Sequence, residues 1–201
     1  MNPPEHAVDS DAPAQSHDDH LTWTVTRIVP ERDLDEVVDV LDTCFVNPWT
    51  REMLERELQQ SDVSRIFVLR EEVQGLLGFC ACWAVGDELH INNLAIRHDA
   101  RRRGAATWLL RTVLAEAADS GLRRATLEVR ASNDRARRLY ARLGFAIGGT
   151  RPGYYRSPDE NALILWHDDL GTFAVREARP GDDSVAIDRA TDGDSDGLGR
   201  S

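Results

Sequence analysis

Three consecutive arginines and a glycine, Arg101 to Gly104, separate a segment with the alternation of a strand from one with the periodicity of a helix. The first N–H groups of a helix have no partner within it, and the helix dipole adds about half a positive charge there. Glycine has no Cβ to keep phosphate oxygens away from the backbone. This arrangement suits the binding of a pyrophosphate, although a solvated basic turn explains the four residues better when they are considered alone.

Two common phosphate-binding patterns are missing from the sequence. It contains no GxxxxGKS or GxxxxGKT loop, and no GxGxxG turn follows a predicted strand. These absences argue against a nucleoside triphosphatase and against an enzyme that uses a dinucleotide. An acyl-CoA remains a good candidate for a ligand that carries a pyrophosphate.

The elements that position this turn can be predicted from hydrophobic periodicity and from turn residues. The first half of the chain predicts a strand at 23–29, a helix at 33–45 and a second helix that Thr50 can cap. Three successive strands then follow at 65–70, 76–85 and 88–96. The chain therefore enters the arginine-rich turn from the end of a three-strand meander.

The second half of the chain alternates between helices and strands. A helix is predicted from Gly104 to Gly121, and a second one begins at Ser132 or Asn133 and ends at Gly144. The strands of this half are predicted at 125–129, 145–150 and 161–167. The resulting order is β-α-α-β-β-β-α-β-α-β-β, which indicates a single α/β domain.

Four segments become specific when they are taken together: NLAI at 93–96, RRRGAA at 101–106, LEVRASN at 127–133 and RRLYARLGF at 137–145. They resemble the GNAT superfamily of N-acetyltransferases, and the likeness covers about residues 22–168. More narrowly, the sequence is similar to the ribosomal-protein alanine N-acetyltransferases of the RimI type. The resemblance implies a GNAT fold, with a central mixed, mostly antiparallel sheet flanked by helices.

The resemblance also implies acetyl-CoA as the co-substrate. In the family, backbone groups of the strand before the turn hold the acetyl and pantetheine part, the turn and the helix start hold the pyrophosphate, and an asparagine lies near the thioester. Ala106 stands where the family usually has a second glycine, which is a mild departure. The implied cofactor-binding residues are Leu94, Ala95, Ile96, Arg101, Arg102, Arg103, Gly104, Ala105, Ala106, Thr107 and Asn133.

Acetyl transfer to an amine requires a base. An α-amine with a pKa near 8 is only about 10% neutral at pH 7, which costs about 1.4 kcal/mol, whereas a lysine side chain would cost about 4.6 kcal/mol. The resemblance assigns the general base to Glu128, acting directly or through one water, and the general acid to Tyr140. Without the resemblance, Glu128 would be a solvent-facing strand residue and Tyr140 a core aromatic residue.

Three aromatic residues, Trp49, Tyr154 and Tyr155, are implied to border the acceptor groove, although core packing explains each of them almost as well. The implied reaction is direct transfer of the acetyl group to a protein N-terminal amine. The narrower likeness implies that this acceptor is the N-terminal alanine of a small-subunit ribosomal protein. A GNAT enzyme for a small amine or for another protein N-terminus stays open as an alternative. So does a non-catalytic acyl-CoA sensor, whereas an RNA-binding module lacks any accompanying recognition motif.

The acidic charge of the chain is concentrated at its two ends. Residues 1–20 carry five acidic groups and no arginine, and residues 168–201 carry nine acidic groups and four arginines. Of the net charge of −11, only about −1 therefore belongs to the residues between them. We expect disordered acidic tails at 1–20 and 169–201 on either side of a catalytic domain at 21–168.

The remaining composition predicts a cytoplasmic protein without a metal. The sequence lacks the features of a signal peptide and has no run of 18 apolar residues, so no membrane partner is expected. The six histidines and the three cysteines, Cys44, Cys80 and Cys82, show no metal-ligand spacing. We expect no direct contact with nucleic acid.

Overall fold

A computed structural model describes residues 23–173, except for residues 46, 61 and 157. The described strands are β1 (Trp23–Arg27), β2 (Ser64–Glu71), β3 (Gly75–Val85), β4 (Glu88–Ile96), β5 (Arg124–Arg130), β6 (Ala146–Tyr155) and β7 (Glu160–His167). The described helices are α1 (Pro30–Cys44), α2 (Arg51–Gln59), α3 (Ala105–Asp119) and α4 (Asp134–Arg142). The predicted order of strands and helices is confirmed.

All seven strands form one sheet in the order β1-β2-β3-β4-β5-β7-β6. Every neighbouring pair is antiparallel except β4 and β5, which run parallel. A parallel pair needs a crossover connection, and α3 supplies it. The sheet is therefore mixed and mostly antiparallel, as the sequence predicts.

Helices cover both faces of this sheet. One core contains the buried face of α3, including Leu109 and Val113, together with the inward side of α4. The other core contains α1 and α2, where Leu41 and Leu54 are completely buried. Apolar residues at helical spacing thus produce the two layers that hold β4 and β5 between them.

The caps of two helices follow from single polar residues. The hydroxyl oxygen of Thr50 accepts a hydrogen bond from the backbone N–H of Met53 at 3.3 Å, at the start of α2. The side-chain oxygen of Asn133 accepts one from Ala136 at 3.0 Å, at the start of α4. Both contacts pair helix N–H groups that have no partner within the helix.

Two element boundaries differ from those predicted by more than two residues, both at prolines. The first helix begins at Pro30, where the sequence predicts the end of a strand, because a proline fits the first turn of a helix, where its missing N–H costs nothing. Strand β6 continues through Pro152 to Tyr155, beyond the predicted end at residue 150. It can do so because β6 is an edge strand, where proline is tolerated.

The folded unit extends past the predicted domain end at residue 168. Residues Leu170–Thr172 form a short 3-10 helix, and Leu170 is completely buried against the α3 side of the sheet. The backbone N–H of Leu170 also donates to the carbonyl oxygen of Arg123 at 2.8 Å. Residues 169–173 therefore belong to the domain, because the buried Leu170, which follows Asp168 and Asp169, holds this segment against the core. The predicted tail at 1–20, and the part of the predicted tail at 169–201 that follows residue 173, lie outside the described residues.

Candidate active site

Strands β4 and β5 part in the middle of the sheet. They pair only from Glu88 with Arg124 to Ile91 with Leu127. Strand β4 then runs on to Ile96, and its register against β3 skips one residue, Asn92. Beyond Ile91 no described strand pairs with the side of β4 that faces β5. The result is a gap between two parallel strands, opened by a β-bulge.

Backbone groups dominate the β4 side of this gap. The side chains of Leu94, Ala95 and Ile96 are at most 2% exposed and pack into the two cores. Only the main chain of these residues can therefore contact a ligand in the gap. This agrees with the backbone role that the family resemblance implies, and the contact itself stays a prediction.

The loop before α3 has the conformation of an anion-binding turn. Arg102 and Gly104 both have left-handed backbone angles, with φ values of 64° and 84°. Gly104 precedes the first residue of α3, and no side chain caps this helix. A Cβ added to Gly104 would meet no atom within 4 Å. The loop thus leaves open space above unpaired helix N–H groups, which fits a pyrophosphate.

The three arginines of this loop have different surroundings. Arg101 points inward and donates to the carbonyl oxygen of Ile96 at 3.0 Å. Arg103 donates to the carboxylate of Glu71 at 2.9 Å, which ties the loop to the end of β2. Arg102 is exposed. Of the three cations, Arg101 and Arg103 thus support the loop from below, and Arg102 is the one at its surface.

The first residues of α3 serve mainly to pack the helix. Ala105 and Ala106 are 2% and 4% exposed and belong to the core beneath the loop. Thr107 is half-buried. Ala106 stands where the family usually has a glycine, and its methyl group fits into the core beneath the loop. Contact of these three residues with acetyl-CoA would be through the backbone and stays a prediction.

Glu128 is the first residue of β5 beyond the paired part of the β4–β5 ladder. Its neighbours Leu127 and Val129 point into the α3–α4 core, so Glu128 stands on the opposite face, which is the face of α1 and α2. Its side chain is 24% exposed, and its carboxylate lies 3.1 Å from the guanidinium of Arg151. A carboxylate therefore stands, partly accessible, at the point where the gap opens.

Tyr140 lies on the inward face of α4 and is 1% exposed. Its ring meets that of Phe145 edge to face at 5.8 Å between centroids. Burial raises the pKa of the Tyr140 phenol well above its ordinary value, and Cys80 and Tyr155 add to the shift. The phenol is therefore protonated at neutral pH, as a general acid must be.

Asn133 begins the helix that carries Tyr140. Because its side-chain oxygen accepts the hydrogen bond from Ala136, it fixes the first turn of α4. The contact with acetyl-CoA that the resemblance implies for Asn133 stays a prediction.

The aromatic residues expected at the acceptor groove lie in two places. Trp49 is 5% exposed and packs into the α1–α2 core. Tyr154 and Tyr155 meet edge to face at 5.1 Å, at the end of β6. Burial, followed by Tyr154 and Glu128, raises the pKa of Tyr155. The structure thus brings the two tyrosines near Glu128 and places Trp49 within a core, while their contacts with an acceptor stay predictions.

Two residues near the gap, Arg151 and Asn93, are not among those predicted from the sequence. Arg151 joins the site only through the pairing of β6 with β7, which no local pattern reveals. Asn93 is 1% exposed, and its amide nitrogen has no hydrogen-bond partner among the described residues. Two consecutive asparagines, Asn92 and Asn93, inside an apolar strand are a signal that could have indicated this place.

The described residues hold no group of three or more histidine, cysteine, aspartate or glutamate side chains that could bind a metal ion. The three cysteines are buried and unpaired with one another by disulfide bonds. Among the helices of residues 23–173, none has the length and hydrophobicity to cross a membrane.

Comparison with known proteins agrees with this geometry. Residues 34–145 match the Acetyltransferase (GNAT) family. A Bacillus subtilis (strain 168) protein, named provisionally as a ribosomal protein bS18-alanine N-acetyltransferase, is 34% identical over 145 residues, which cover 72% of this chain and 95% of the relative. The ribosomal protein bS18-alanine N-acetyltransferase of Haemophilus ducreyi is 28% identical, over 68% of this chain and 94% of its own length.

A solved structure extends the likeness to three dimensions. The crystal structure of the ribosomal-protein-S18-alanine N-acetyltransferase from Escherichia coli superposes with a TM-score of 0.68 at 28% identity. The match covers 73% of this chain and 94% of that one. The family match, the relatives and the gap between β4 and β5 lead to one conclusion: the chain belongs to the GNAT family of N-acetyltransferases, which use acetyl-CoA as the acetyl donor.

Proposed function

We propose that this enzyme acetylates the α-amine of a protein N-terminus, and that its acceptor is the N-terminal alanine of a small-subunit ribosomal protein. The observation that carries the proposal is the position of Glu128. Its carboxylate stands where β4 and β5 part, on the sheet face opposite α3 and α4. A donor held in the gap and an acceptor approaching from the α1–α2 face would meet beside this carboxylate.

Glu128 is proposed as the general base. About 90% of an α-amine with a pKa near 8 is protonated at pH 7, and the ammonium ion cannot attack a thioester. A carboxylate that is 24% exposed can accept that proton directly or through one water. Lysine acceptors would demand about 3 kcal/mol more for the same step, which favours an α-amine.

Tyr140 is proposed as the general acid. Acetyl-CoA would supply an activated acyl group as a thioester, whose sulfur leaves as a thiolate. The buried phenol of Tyr140, whose pKa is raised by burial, is protonated at neutral pH and therefore has a proton to offer to the departing sulfur. Burial of the ring and the contact with Phe145 hold the phenol in one orientation.

The donor would be held by backbone groups. The main chain of Leu94, Ala95 and Ile96 would hold the acetyl and pantetheine part, and the loop from Arg101 to Thr107 the pyrophosphate. The empty space above Gly104 supports this assignment, since a phosphate needs to approach the backbone closely there. Asn133 would complete the set near the thioester.

Transfer would be direct, without an acyl-enzyme. The described cysteines are buried, and a hydrogen bond with Cys82, together with burial, raises the pKa of the Cys80 thiol well above its ordinary value. Such a thiol is a poor nucleophile. The amine itself is then the group that attacks.

The choice of acceptor is supported by the relatives. The names of the proteins from Haemophilus ducreyi and Escherichia coli both specify N-acetylation of an alanine of ribosomal protein S18. Tyr154 and Tyr155, beside Glu128, would border the bound peptide together with Trp49. A ribosomal protein acceptor in turn favours the cytoplasm as the place of action.

A mass-shift assay tests the acceptor. The enzyme and acetyl-CoA are incubated with a peptide that begins with alanine, one that begins with serine, and an N-terminally blocked peptide with an internal lysine. We expect an acetyl group on the alanine peptide and none on the blocked one. Acetylation of lysine alone would exclude the N-terminal assignment, and transfer to neither would exclude peptide acceptors.

A further inference from the structure

The proposed base is already paired with a cation. The guanidinium of Arg151, on edge strand β6, lies 3.1 Å from the carboxylate of Glu128. The two side chains are 55% and 24% exposed, so Arg151 is the partner that lies nearer to the solvent. An amine that arrives from solvent as an ammonium ion would be the second cation to seek this one carboxylate.

We propose that Arg151 is a positioning residue for Glu128, which the acceptor ammonium must displace and which returns to restore the carboxylate after each turnover. The inference rests on the proposed role of Glu128 as the base. An ion pair as exposed as this one changes an equilibrium by only about 1.5- to 5-fold. Arg151 is thus held firmly enough to order Glu128 and loosely enough to be exchanged.

In the same conformation the guanidinium of Arg151 also lies near an aromatic ring. Its central carbon lies 5.5 Å from the ring centroid of Tyr154, within the range of a cation–π contact. The backbone beyond Arg151 is fixed, because Gly153 has a φ of 60° and its N–H donates to the side-chain oxygen of Asn161 at 2.9 Å. When the acceptor ammonium takes the place of Arg151 at Glu128, the ring of Tyr154 can keep the guanidinium beside the site while the strand stays in place.

The return of Arg151 completes the cycle. The ammonium ion loses two protons in the reaction: one passes to Glu128, and the other restores the phenol of Tyr140 after it has protonated the leaving thiolate. At the end of the transfer the base is therefore a neutral carboxylic acid and the product amide carries no charge. A guanidinium at 3 Å stabilises the carboxylate over the acid, so the proton passes from Glu128 to water as Arg151 returns. The electrostatic attraction that competes with the substrate thus also regenerates the base.

The other ionisable groups around Glu128 have partners of their own. On β5, Arg130 lies 3.4 Å from Glu160 and stacks over the ring of Tyr155. On β4, His90 lies 3.1 Å from Glu88. From α2, Glu57 accepts a hydrogen bond from the indole of Trp83 at 2.6 Å.

The phenol of Tyr155 carries no charge that could pair with Glu128. It is protonated, because burial, and after it the neighbouring Tyr154 and Glu128, raise its pKa. Among the described groups, Arg151 is therefore the cation that pairs with Glu128.

The test uses three charge variants of the full chain: Arg151→Gln, Arg151→Lys and, as a control, Arg111→Gln on the exposed side of α3. We expect Arg151→Gln to lower the KM for an alanine-starting peptide by about 1.5- to 5-fold at pH 7, because the competing cation is gone. The acid limb of its kcat/KM profile should move to higher pH by about 0.2 to 0.7 units, because the carboxylate has lost its neighbour. Arg151→Lys should return both properties toward wild type, and Arg111→Gln should change neither.

Two results would overturn the inference. One is a KM and pH profile in Arg151→Gln that match the wild type, and the other is an Arg151→Lys variant that behaves like Arg151→Gln, since the charge would then be irrelevant. Glu128→Gln separates this failure from that of the proposed function. If Glu128→Gln is fully active, the base itself is wrong; if it is inactive while Arg151→Gln is unchanged, only the role of Arg151 is wrong.

Discussion

The completely buried carboxylate of Asp33 accepts two hydrogen bonds from the guanidinium of Arg70, at 2.8 and 3.1 Å. It also accepts from Arg32 and from the backbone N–H of Val29. These contacts tie the first turn of α1 to β2, and α1 covers the sheet face on which Glu128 stands. One buried charge thus anchors the helix that encloses the acceptor side of the site.

This anchor gives the protein an acid-sensitive stability. Burial alone would raise the pKa of Asp33, but hydrogen bonds from Arg32, Val29 and Arg70 outweigh burial and lower it to about 2. The ionised group therefore stabilises the fold by about 2 kcal/mol above pH 4, and this stabilisation is lost as the pH falls toward 2. We expect Asp33→Asn to lose at least that much at pH 7 in urea unfolding, and to depend less on pH between about 5 and 2.5. A pH dependence equal to that of the wild type would contradict this.

Gly104→Ala should separate backbone strain from ligand binding. The φ of 84° at Gly104 is unfavourable for alanine by about 1–2 kcal/mol, and the new methyl group would enter the space proposed for the pyrophosphate. Gly86→Ala is a matched control, since Gly86 has a φ of 61° and equally open space in the β3–β4 turn. Calorimetric titration with acetyl-CoA should show a loss of about 10-fold or more for Gly104→Ala only. Equal affinities of the two variants would refute the loop as the phosphate site.

Glu128→Gln should lower activity in a pH-dependent manner. Without a base, the reaction depends on the fraction of amine that is already neutral, which rises about 10-fold per pH unit below the amine's pKa near 8. The loss relative to wild type should therefore be greatest near pH 6 and smallest near pH 9. Initial rates with the alanine peptide across this range would measure it. A loss that is constant with pH would point to a structural role for Glu128 instead.

Tyr140→Phe should affect the chemical step without affecting donor binding. The phenylalanine fills the same buried volume, so the free energy of unfolding should change little. Loss of the protonated phenol should reduce kcat by about 100-fold, the lower range for a general acid, while the Kd for acetyl-CoA stays constant. Thr112→Val, which removes a half-buried hydroxyl from α3, serves as the comparison and should keep kcat. Full activity of Tyr140→Phe would remove Tyr140 from the mechanism.

Local patterns predict the elements that form the proposed donor side of the site. The stretch from β4 through the arginine-rich loop into α3 depends on one glycine with a left-handed backbone and on an apolar stripe, and both are visible in the sequence. The caps at Thr50 and Asn133 are equally local, because each is a contact between residues three apart. Such features require no knowledge of which strands become neighbours.

The acceptor side could not be predicted in the same way. The contact of Arg151 with Glu128 joins β6 to β5, and β7 lies between those strands in the sheet. Trp49 follows a proline in a loop, and only the packing of α1 against α2 determines that its ring is buried. Composition places Leu170 in an acidic tail, because composition does not show that a single leucine returns to the core. All three depend on contacts between distant parts of the chain.

The position of β7 in the sheet affects how the domain can fold during its synthesis. This strand is the last of the sheet in chain order, yet it lies inside the sheet between β5 and β6. Until His167 has been synthesised, a nascent chain has an unpaired β5 edge, and β6 has no strand on which to place Arg151 beside Glu128. The loop from Arg101 to Gly104 can form early, but Glu128 acquires its neighbours only when synthesis of the domain is nearly complete. A chain that terminates early would therefore be both inactive and prone to pair its open edge with another chain.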